Sequence, residues 1–221
     1  ATVTMNGGTI TYNAAGYFGG GVMFGETESS TAITTFTMKS GTISYNSATG
    51  STGWAEYGGG VYVVHGTFDM QGGEISHNET THGGAGVFVG TADNASLFTM
   101  SGGTISDNSA GTVGGGVCNN SIFTMTGGTI TSNTTADSGS GNGGAGVYNA
   151  GTCAISGGTL TTNMADSNGG GIYTSGTLTL SGTASVVENQ TNNGGGVYNT
   201  GSLFMYGSAA IGDSSVSSSL T

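Results

Sequence analysis

The sequence predicts an all-β protein folded as a right-handed, single-stranded parallel β-helix, a solenoid with three strands per coil and about seven to eight coils. Three observations predict this fold. One short pattern recurs along the chain, apolar and polar residues alternate within each copy, and 47 of the 221 residues are glycine while none is proline. Proline lacks the backbone N–H that a strand paired on both sides must donate, so its absence fits stacked strands.

The repeat is clearest in three columns of apolar residues. Members of the first column follow each other at intervals of 25 to 33 residues, as expected for a core unit of fixed length that carries loop insertions. The first column holds Met5, Met38, Met70, Met100, Met125, Ile155, Leu180 and Met205. The second holds Ile10, Ile43, Ile75, Ile105, Ile130 and Leu160. The third follows each glycine cluster and holds Val22, Val61, Val87, Val117, Val147, Ile172 and Val197.

Within each unit the apolar residues alternate with polar ones. Phe98 and Met100 flank Thr99, and Ile105 lies between Thr104 and Ser106. Alternation over three to five residues, bounded by glycine pairs, is typical of short strands separated by tight bends. The glycine pair after each methionine strand can adopt the positive φ that such a bend requires. We expect the phenylalanines paired with the methionines to point inward, namely Phe36, Phe68, Phe98 and Phe123.

An asparagine recurs three residues after the second apolar column. Stacked at the same corner of successive coils, these amides would hydrogen-bond one another and the backbone of the bend. We therefore interpret the column as a structural ladder, not a binding site. Its members are Asn13, Asn46, Asn78, Asn108, Asn133, Asn163 and Asn189.

Composition excludes two classes of partner. One basic residue and 12 acidic residues give a net charge of −11, and the single cation is Lys39. Binding of nucleic acid requires clustered Lys and Arg to neutralise phosphates, so we expect no nucleic-acid partner. No apolar run approaches the roughly 18 residues of a membrane span, so we expect no membrane insertion of this segment.

Threonine and serine residues form a candidate ice-binding face. They flank the second apolar column on the outside of the predicted coil. Ice-binding β-solenoids bind ice through a regular grid of hydroxyl groups of this kind. An alternative is that Thr is simply a good strand former at an exposed site, and Glu74 interrupts one row. The candidate face comprises Thr9, Thr11, Thr42, Ser44, Thr104, Ser106, Thr129, Thr131, Thr159 and Thr161.

Aromatic residues form a second candidate surface. The position after the third apolar column predicts an outward stripe of Tyr62, Phe88, Tyr148, Tyr173 and Tyr198, with Met23 and Cys118 at the remaining places. Loops of the first two coils add a candidate aromatic patch of Tyr17, Phe18, Trp54 and Tyr57. Flat aromatic faces suit the binding of sugars or proteins. The alternative is that these rings pack on each other and merely shield the loops.

No constellation for catalysis is evident, so we expect a protein that is not an enzyme. Glycoside hydrolysis needs two positioned carboxyl groups, and the best pair, Asp69 with Glu74, is separated by a glycine bend. We expect no cofactor and no metal centre. Loop acids offer oxygen ligands for calcium as an alternative, although they lack the dense spacing of a dedicated loop. These acids are Glu26, Glu28, Glu56, Asp93, Asp137 and Asp166.

The two cysteines fall in different columns of the repeat. Cys118 lies in the outward aromatic stripe and Cys153 in the inward phenylalanine column. A disulfide would contradict this register, so we expect two free thiols.

The paired motifs of the repeat resemble those of a known family. Ile105-x-x-Asn108 with Gly114-Gly-Gly-Val117, and Ile130-x-x-Asn133 with Gly143-Gly-Ala-Gly-Val147, are similar to the Phe-x-x-Asn and Gly-Gly-Ala-Ile/Leu/Val motifs of chlamydial-type polymorphic outer membrane proteins. They also resemble the adhesin-like β-helix repeats of autotransporter passengers and other microbial surface proteins. The resemblance implies a secreted or surface-displayed adhesin whose partner is a glycan or a host or matrix protein.

The ends of the predicted rod leave two interpretations open. We expect a single β-helix domain over residues 1–221, and no amphipathic helix covers either end. Uncovered ends of a solenoid expose unpaired backbone and core. The chain is therefore expected to be a fragment or mature segment of a longer surface protein, or to stack end to end with copies of itself in an extracellular fibre.

Overall fold

The computed structural model describes residues 1–25, 34–50, 56–90, 96–136 and 142–212. Within these ranges every regular element is a β-strand. No helix in the described residues is long and apolar enough to cross a membrane. The prediction of an all-β chain is confirmed.

The strands are short, apart from two that continue through a glycine bend. In chain order they are β1 Thr2–Thr11, β2 Ala14–Ala15, β3 Val22–Phe24, β4 Thr34–Ser44, β5 Ser47–Ala48, β6 Val61–Val63, β7 Gly66–Met70, β8 Glu74–Ser76, β9 Glu79–Thr80, β10 Val87–Val89, β11 Leu97–Met100, β12 Thr104–Ser106, β13 Ser109–Ala110, β14 Val117–Asn119, β15 Ile122–Met125, β16 Thr129–Thr131, β17 Thr134–Thr135, β18 Val147–Asn149, β19 Thr152–Ile155, β20 Thr159–Thr161, β21 Met164–Ala165, β22 Ile172–Thr174, β23 Thr177–Leu180, β24 Ser185–Val187, β25 Val197–Asn199, β26 Ser202–Met205 and β27 Ala210–Ile211.

These strands form three parallel sheets that the chain visits in turn. The first sheet has the order β26-β23-β19-β15-β11-β7-β4-β8-β12-β16-β20-β24-β27, with β1 paired to β4. The second has the order β25-β22-β18-β14-β10-β6-β3, and the third β2-β5-β9-β13-β17-β21. Because each strand pairs with its counterpart in the preceding and following repeats, the architecture is solenoid-like.

The register of the strands confirms the three apolar columns. Met100 pairs with Met70 and Met125 in the first sheet, and Ile105 pairs with Ile75 and Ile130 in the same sheet. Val117 pairs with Val87 and Val147 in the second sheet. The second column also extends past Leu160 through Val186 to Ile211, where the sequence pattern alone was too weak to follow it.

The three columns enclose one continuous apolar core. The inward phenylalanines stack within it, with ring centroids 5.2 Å apart for Phe36 and Phe68, 5.0 Å for Phe68 and Phe98, and 4.8 Å for Phe98 and Phe123. These separations follow from the spacing of adjacent paired strands, which is about 4.8 Å. A chain of modest apolar content thus buries the phenylalanines of its core almost completely, since each ring stacks on the equivalent ring of the next repeat.

Two kinds of bend connect the strands. Gly103 has φ +87° at the bend after the methionine strand, as the sequence predicts. The corner before the asparagine column also has positive φ, yet it is formed by residues with a Cβ: Tyr12, Tyr45, His77, Asp107, Ser132, Thr162 and Glu188. A left-handed conformation at such residues costs about 1–2 kcal/mol each, and the hydrogen bonds of the adjacent ladder offset that cost.

The glycine before each valine of the second sheet has a different role. At Gly116 a Cβ would lie 2.6 Å from the carbonyl oxygen of Gly146 and 3.1 Å from the Asn133 Nδ2 atom. The absence of a side chain therefore lets the backbone approach the asparagine column closely. This packing explains why the glycine clusters and the asparagines recur together.

The asparagine ladder is confirmed. The Nδ2 atom of Asn108 donates to Asn133 Oδ1 at 2.9 Å and to the Ile75 carbonyl oxygen at 3.0 Å. Its Oδ1 atom accepts from the backbone N–H and the Nδ2 atom of Asn78, both at 2.9 Å. The same amide-to-amide bond joins Asn13 to Asn46, Asn46 to Asn78, Asn133 to Asn163 and Asn163 to Asn189.

Candidate functional site

An aromatic column lies on the outer side of the second sheet. We use this name for the residues that follow the valine column, which the strand pairing places in register: Met23, Tyr62, Phe88, Cys118, Tyr148, Tyr173 and Tyr198. Ring centroids are 4.9 Å apart for Tyr62 and Phe88, 5.3 Å for Tyr148 and Tyr173, and 5.5 Å for Tyr173 and Tyr198. The predicted stripe therefore exists as two stacked runs of rings.

The candidate patch residues from the corner loops pack on one run. Phe18 lies 4.8 Å from Tyr62, and Tyr57 lies 4.5 Å from Phe88, measured between ring centroids. Tyr17 lies beside Phe18 at 6.2 Å and keeps 45% of its surface exposed. Trp54 lies outside the described residues.

The position of these loops corrects one expectation of the sequence analysis. Tyr62 and Phe88 point outward from the sheet, as predicted, but they are 6% and 2% exposed. The loop residues Phe18 and Tyr57 pair with each other as a parallel bridge, and Tyr57 pairs with Gly83 in the same way. Because the loops repeat in register, they form a second layer over the sheet and bury this part of the column.

The other run of the column is less buried. Tyr148 and Tyr198 are half-buried, while Tyr173 between them is 9% exposed. Burial raises the pKa of the Tyr148 hydroxyl above its usual value, with a smaller contribution from neighbouring groups. Tyrosines that are held by stacking and accessible at their edges can bind ligands at low entropic cost.

The threonine face is less regular than the sequence indicates. The pairing places Thr9, Thr42, Glu74, Thr104, Thr129 and Thr159 in one row and Thr11, Ser44, Ser76, Ser106, Thr131 and Thr161 in the other. Ser44 and Ser106 are each 7% exposed and Ser76 is 2% exposed, so three hydroxyl groups of the second row are buried. Two adjacent repeats, with Thr129, Thr131, Thr159 and Thr161, present accessible threonine in both rows.

Both cysteines are free, as predicted. Both are also buried, Cys118 in spite of its predicted place in an outward stripe. Cys153 pairs with Phe123 inside the core, and burial raises the pKa of its thiol to about 12. Cys118 lies in the aromatic column, where burial also raises the pKa of the thiol. Neither thiol is activated as a nucleophile, because activation requires a lowered pKa.

A cluster of Glu56, Thr81 and His82 holds the corner loop against the third sheet, and sequence analysis missed it. The Glu56 side chain is 2% exposed, and its Oε2 atom lies 2.5 Å from Thr81 Oγ1 and 2.7 Å from His82 Nδ1. The hydrogen bond from Thr81, followed by the hydrogen bond and the charge of His82, lowers the pKa of the Glu56 carboxyl in spite of burial. The same nitrogen of His82 approaches both partners, whereas a proton relay to a nucleophile uses the two ring nitrogens separately.

This cluster makes stability depend on pH in a defined direction. Because the pKa of Glu56 is below its ordinary value of 4.5 in the folded chain, its stabilising contribution is complete above that value and is lost as the pH falls through the lowered pKa. We expect Glu56→Gln to lower the melting temperature at about pH 5.5 and to have progressively less effect towards about pH 3. Thermal unfolding of both proteins across that range measures the difference.

Glu79→Gln, an exposed position in β9, controls for the loss of one negative charge. A difference between wild type and Glu56→Gln that stays constant across the range would contradict the assignment.

The other candidate acids form no centre in the described part of the chain. The Asp69 carboxylate accepts hydrogen bonds from Gln71 Nε2 at 2.6 Å and Thr99 Oγ1 at 2.9 Å. No group of three His, Cys, Asp or Glu side chains suited to a metal ion occurs among the described residues. Of the acids considered for calcium, Glu26, Glu28, Asp93 and Asp137 lie outside those residues.

Two further features were not predicted. Asn119 Nδ2 donates to Asn149 Oδ1 at 2.7 Å, and Asn149 Nδ2 to Thr174 Oγ1 at 3.0 Å, which makes a second, shorter ladder in the second sheet. Tyr12, Tyr45 and His77 stack on the outside, with ring centroids 5.1 Å and 4.7 Å apart. Both features could have been found from the 25- to 33-residue spacing of the repeat, because their residues also recur at that spacing. They were missed because the residue type changes from one copy to the next.

None of the protein-family models, curated proteins or solved structures compared with this chain matches it.

Proposed function

We propose that this chain is a non-enzymatic, adhesin-like β-helix of a microbial surface, which binds glycans or proteins outside the cell. In this proposal the rod is right-handed and three-sided, with about seven to eight coils. The resemblance of its repeat motifs to those of surface-displayed adhesins supports the location. The low content of charged residues, 6%, and the single Lys fit a partner that is recognised by stacking and hydrogen bonds rather than by charge.

One observation carries the proposal: aromatic rings of the corner loops and of the second sheet converge on one side of the rod. Tyr17, Phe18 and Tyr57 approach one run of the column, and Tyr148 and Tyr198 bound the other. A rigid support fixes these rings before a ligand arrives, so little conformational entropy is lost on binding. Several shallow positions along one rod also add avidity to weak single contacts.

The test is an array of glycans and matrix proteins probed with the wild-type chain and with the double variant Tyr17→Ala/Tyr198→Ala. We expect the wild type to bind a subset of the array. Aromatic contacts contribute about 0.5–1.5 kcal/mol each, so removal of two accessible rings should weaken that binding about tenfold.

Tyr12→Ala is the matched control, because Tyr12 is 76% exposed but stacks with Tyr45, away from the aromatic column. Binding by this variant should equal that of the wild type. Absence of any bound glycan or protein, or equal losses in the double variant and the control, would overturn the proposal.

A further inference from the structure

The aromatic column is interrupted at Cys118. All positions of the column from Tyr62 to Tyr198 carry a ring except Cys118. Cys118 pairs directly with Phe88 on one side and with Tyr148 on the other. Because a thiol is much shorter than a phenyl ring, the interruption leaves space in the outer layer of the second sheet. A pocket with a volume of about 250 Å³ occupies this place.

The pocket has aromatic walls and a polar rim. Its aromatic lining is Tyr57 and Tyr148, beside Val113 and the buried Cys118, and its polar lining is Thr112, Asn120 and Asn142. Both walls are held in place by other rings, since Tyr57 packs on Phe88 at 4.5 Å and Tyr148 stacks on Tyr173 at 5.3 Å. This packing fixes the positions of the two aromatic walls.

We propose that this pocket binds one neutral pyranose unit of a glycan, an inference that rests on the proposed adhesive function and specifies its ligand. A pyranose ring has an apolar face of C–H groups and an edge of hydroxyl groups. The tyrosine rings can pack on the C–H face. The amides of Asn120 and Asn142 can both donate hydrogen bonds to the hydroxyl groups and accept hydrogen bonds from them.

Size and charge narrow the ligand class. Pockets for drug-sized ligands measure about 300–1,000 Å³, so a volume of about 250 Å³ admits a single ring rather than an extended ligand. The only basic residue apart from histidine is Lys39 in β4 of the first sheet. None of the residues that line the pocket is basic, so the carboxylate of an acidic sugar would find no cationic partner there.

The decisive variant is Cys118→Tyr, which places a ring at the interruption and fills the pocket. The variant is compatible with the fold, because tyrosine occupies the same column at positions 62, 148, 173 and 198. Met23→Tyr is the matched control: it adds a tyrosine to the same column in β3, away from the pocket. Asn120→Ala, on the rim, is a second test that leaves the packing of the column untouched.

Ligand-observed saturation-transfer NMR with the whole chain is the measurement. The probes are the methyl glycosides of glucose, galactose and N-acetylglucosamine, with glucuronic acid and sialic acid for comparison. We expect transfer to one or more neutral glycosides and none to the acids. Cys118→Tyr should abolish transfer, Asn120→Ala should weaken binding about tenfold by loss of hydrogen bonds, and Met23→Tyr should retain it.

The outcomes separate this inference from the proposed function. Array binding without transfer to any glycoside, or transfer that persists in folded Cys118→Tyr, overturns the pocket inference and leaves adhesion standing. If Cys118→Tyr loses binding to proteins of the array but keeps binding to glycosides, the pocket binds an aromatic side chain of a partner protein and not a sugar, and the inference is overturned. If the wild type binds nothing on the array or in solution, both proposals fail.

Discussion

Asn108→Ala should lower the free energy of unfolding by about 4 kcal/mol, because it removes a central rung of the ladder. The Asn108 side chain is fully buried and makes hydrogen bonds to three residues, Ile75, Asn78 and Asn133. Alanine leaves the two N–H donors of Asn78 and the Ile75 carbonyl without these bonds, and each buried unpaired group costs about 1–3 kcal/mol. Urea titration followed by circular dichroism measures the change.

Asn13→Ala is the matched control at an exposed rung. Its side chain donates to Asn46 Oδ1, but water can replace this bond, so we expect a loss of no more than about 1 kcal/mol. Asn108→Asp sharpens the test, because a carboxylate keeps the size of the amide yet offers no N–H to Ile75 or Asn133. Equal effects of Asn108→Ala and Asn13→Ala, or full stability of Asn108→Asp at neutral pH, would contradict the ladder's energetic role.

Phe98→Ala should cost about 3–5 kcal/mol, the range for truncation of a buried phenylalanine. Phe98 is 0% exposed and stacks between Phe68 and Phe123 at centroid distances of 5.0 Å and 4.8 Å. The neighbouring rings are fixed by their own strands in adjacent repeats, so they cannot collapse into the cavity. Equilibrium unfolding gives the loss directly.

Phe204→Ala is the control for residue type, because Phe204 is 47% exposed and its truncation should stay within about 0.5 kcal/mol. A double-mutant cycle with Phe68→Ala isolates the stacking contribution, which we expect to be about 0.5–1.5 kcal/mol. A loss at Phe98 no larger than that at Phe204 would mean that the ring column does not stabilise the core.

The columns could be predicted because the solenoid-like architecture converts sequence spacing into contact. Met100, Ile105 and Asn108 recur at nearly constant offsets in successive copies, and Val117 follows after a loop of variable length. Parallel pairing between repeats places each of them on its counterpart. Apart from this rule, no information about the tertiary structure was needed. The prediction of the columns was weaker where the residue type differs between repeats, as at Val186 and Ile211.

The candidate site was predicted only in part. The outward direction of Tyr62 and Phe88 could be predicted from the alternation within a strand. Their burial could not be predicted, because it depends on how the corner loops fold back over the sheet. The cluster of Glu56, Thr81 and His82 joins segments with no shared spacing in the repeat. Its members are ordinary polar loop residues when considered one at a time.

By itself the sequence determined the strand pattern, the core columns, the asparagine ladder and the free state of both thiols, because each follows from periodicity and from identical residues meeting across paired strands. Only the tertiary structure decided which outward residues reach solvent and where a cavity remains. The physical reason is that exposure depends on a second layer of loops, whose lengths differ between copies, and on the volume that a short side chain such as Cys118 leaves among larger neighbours.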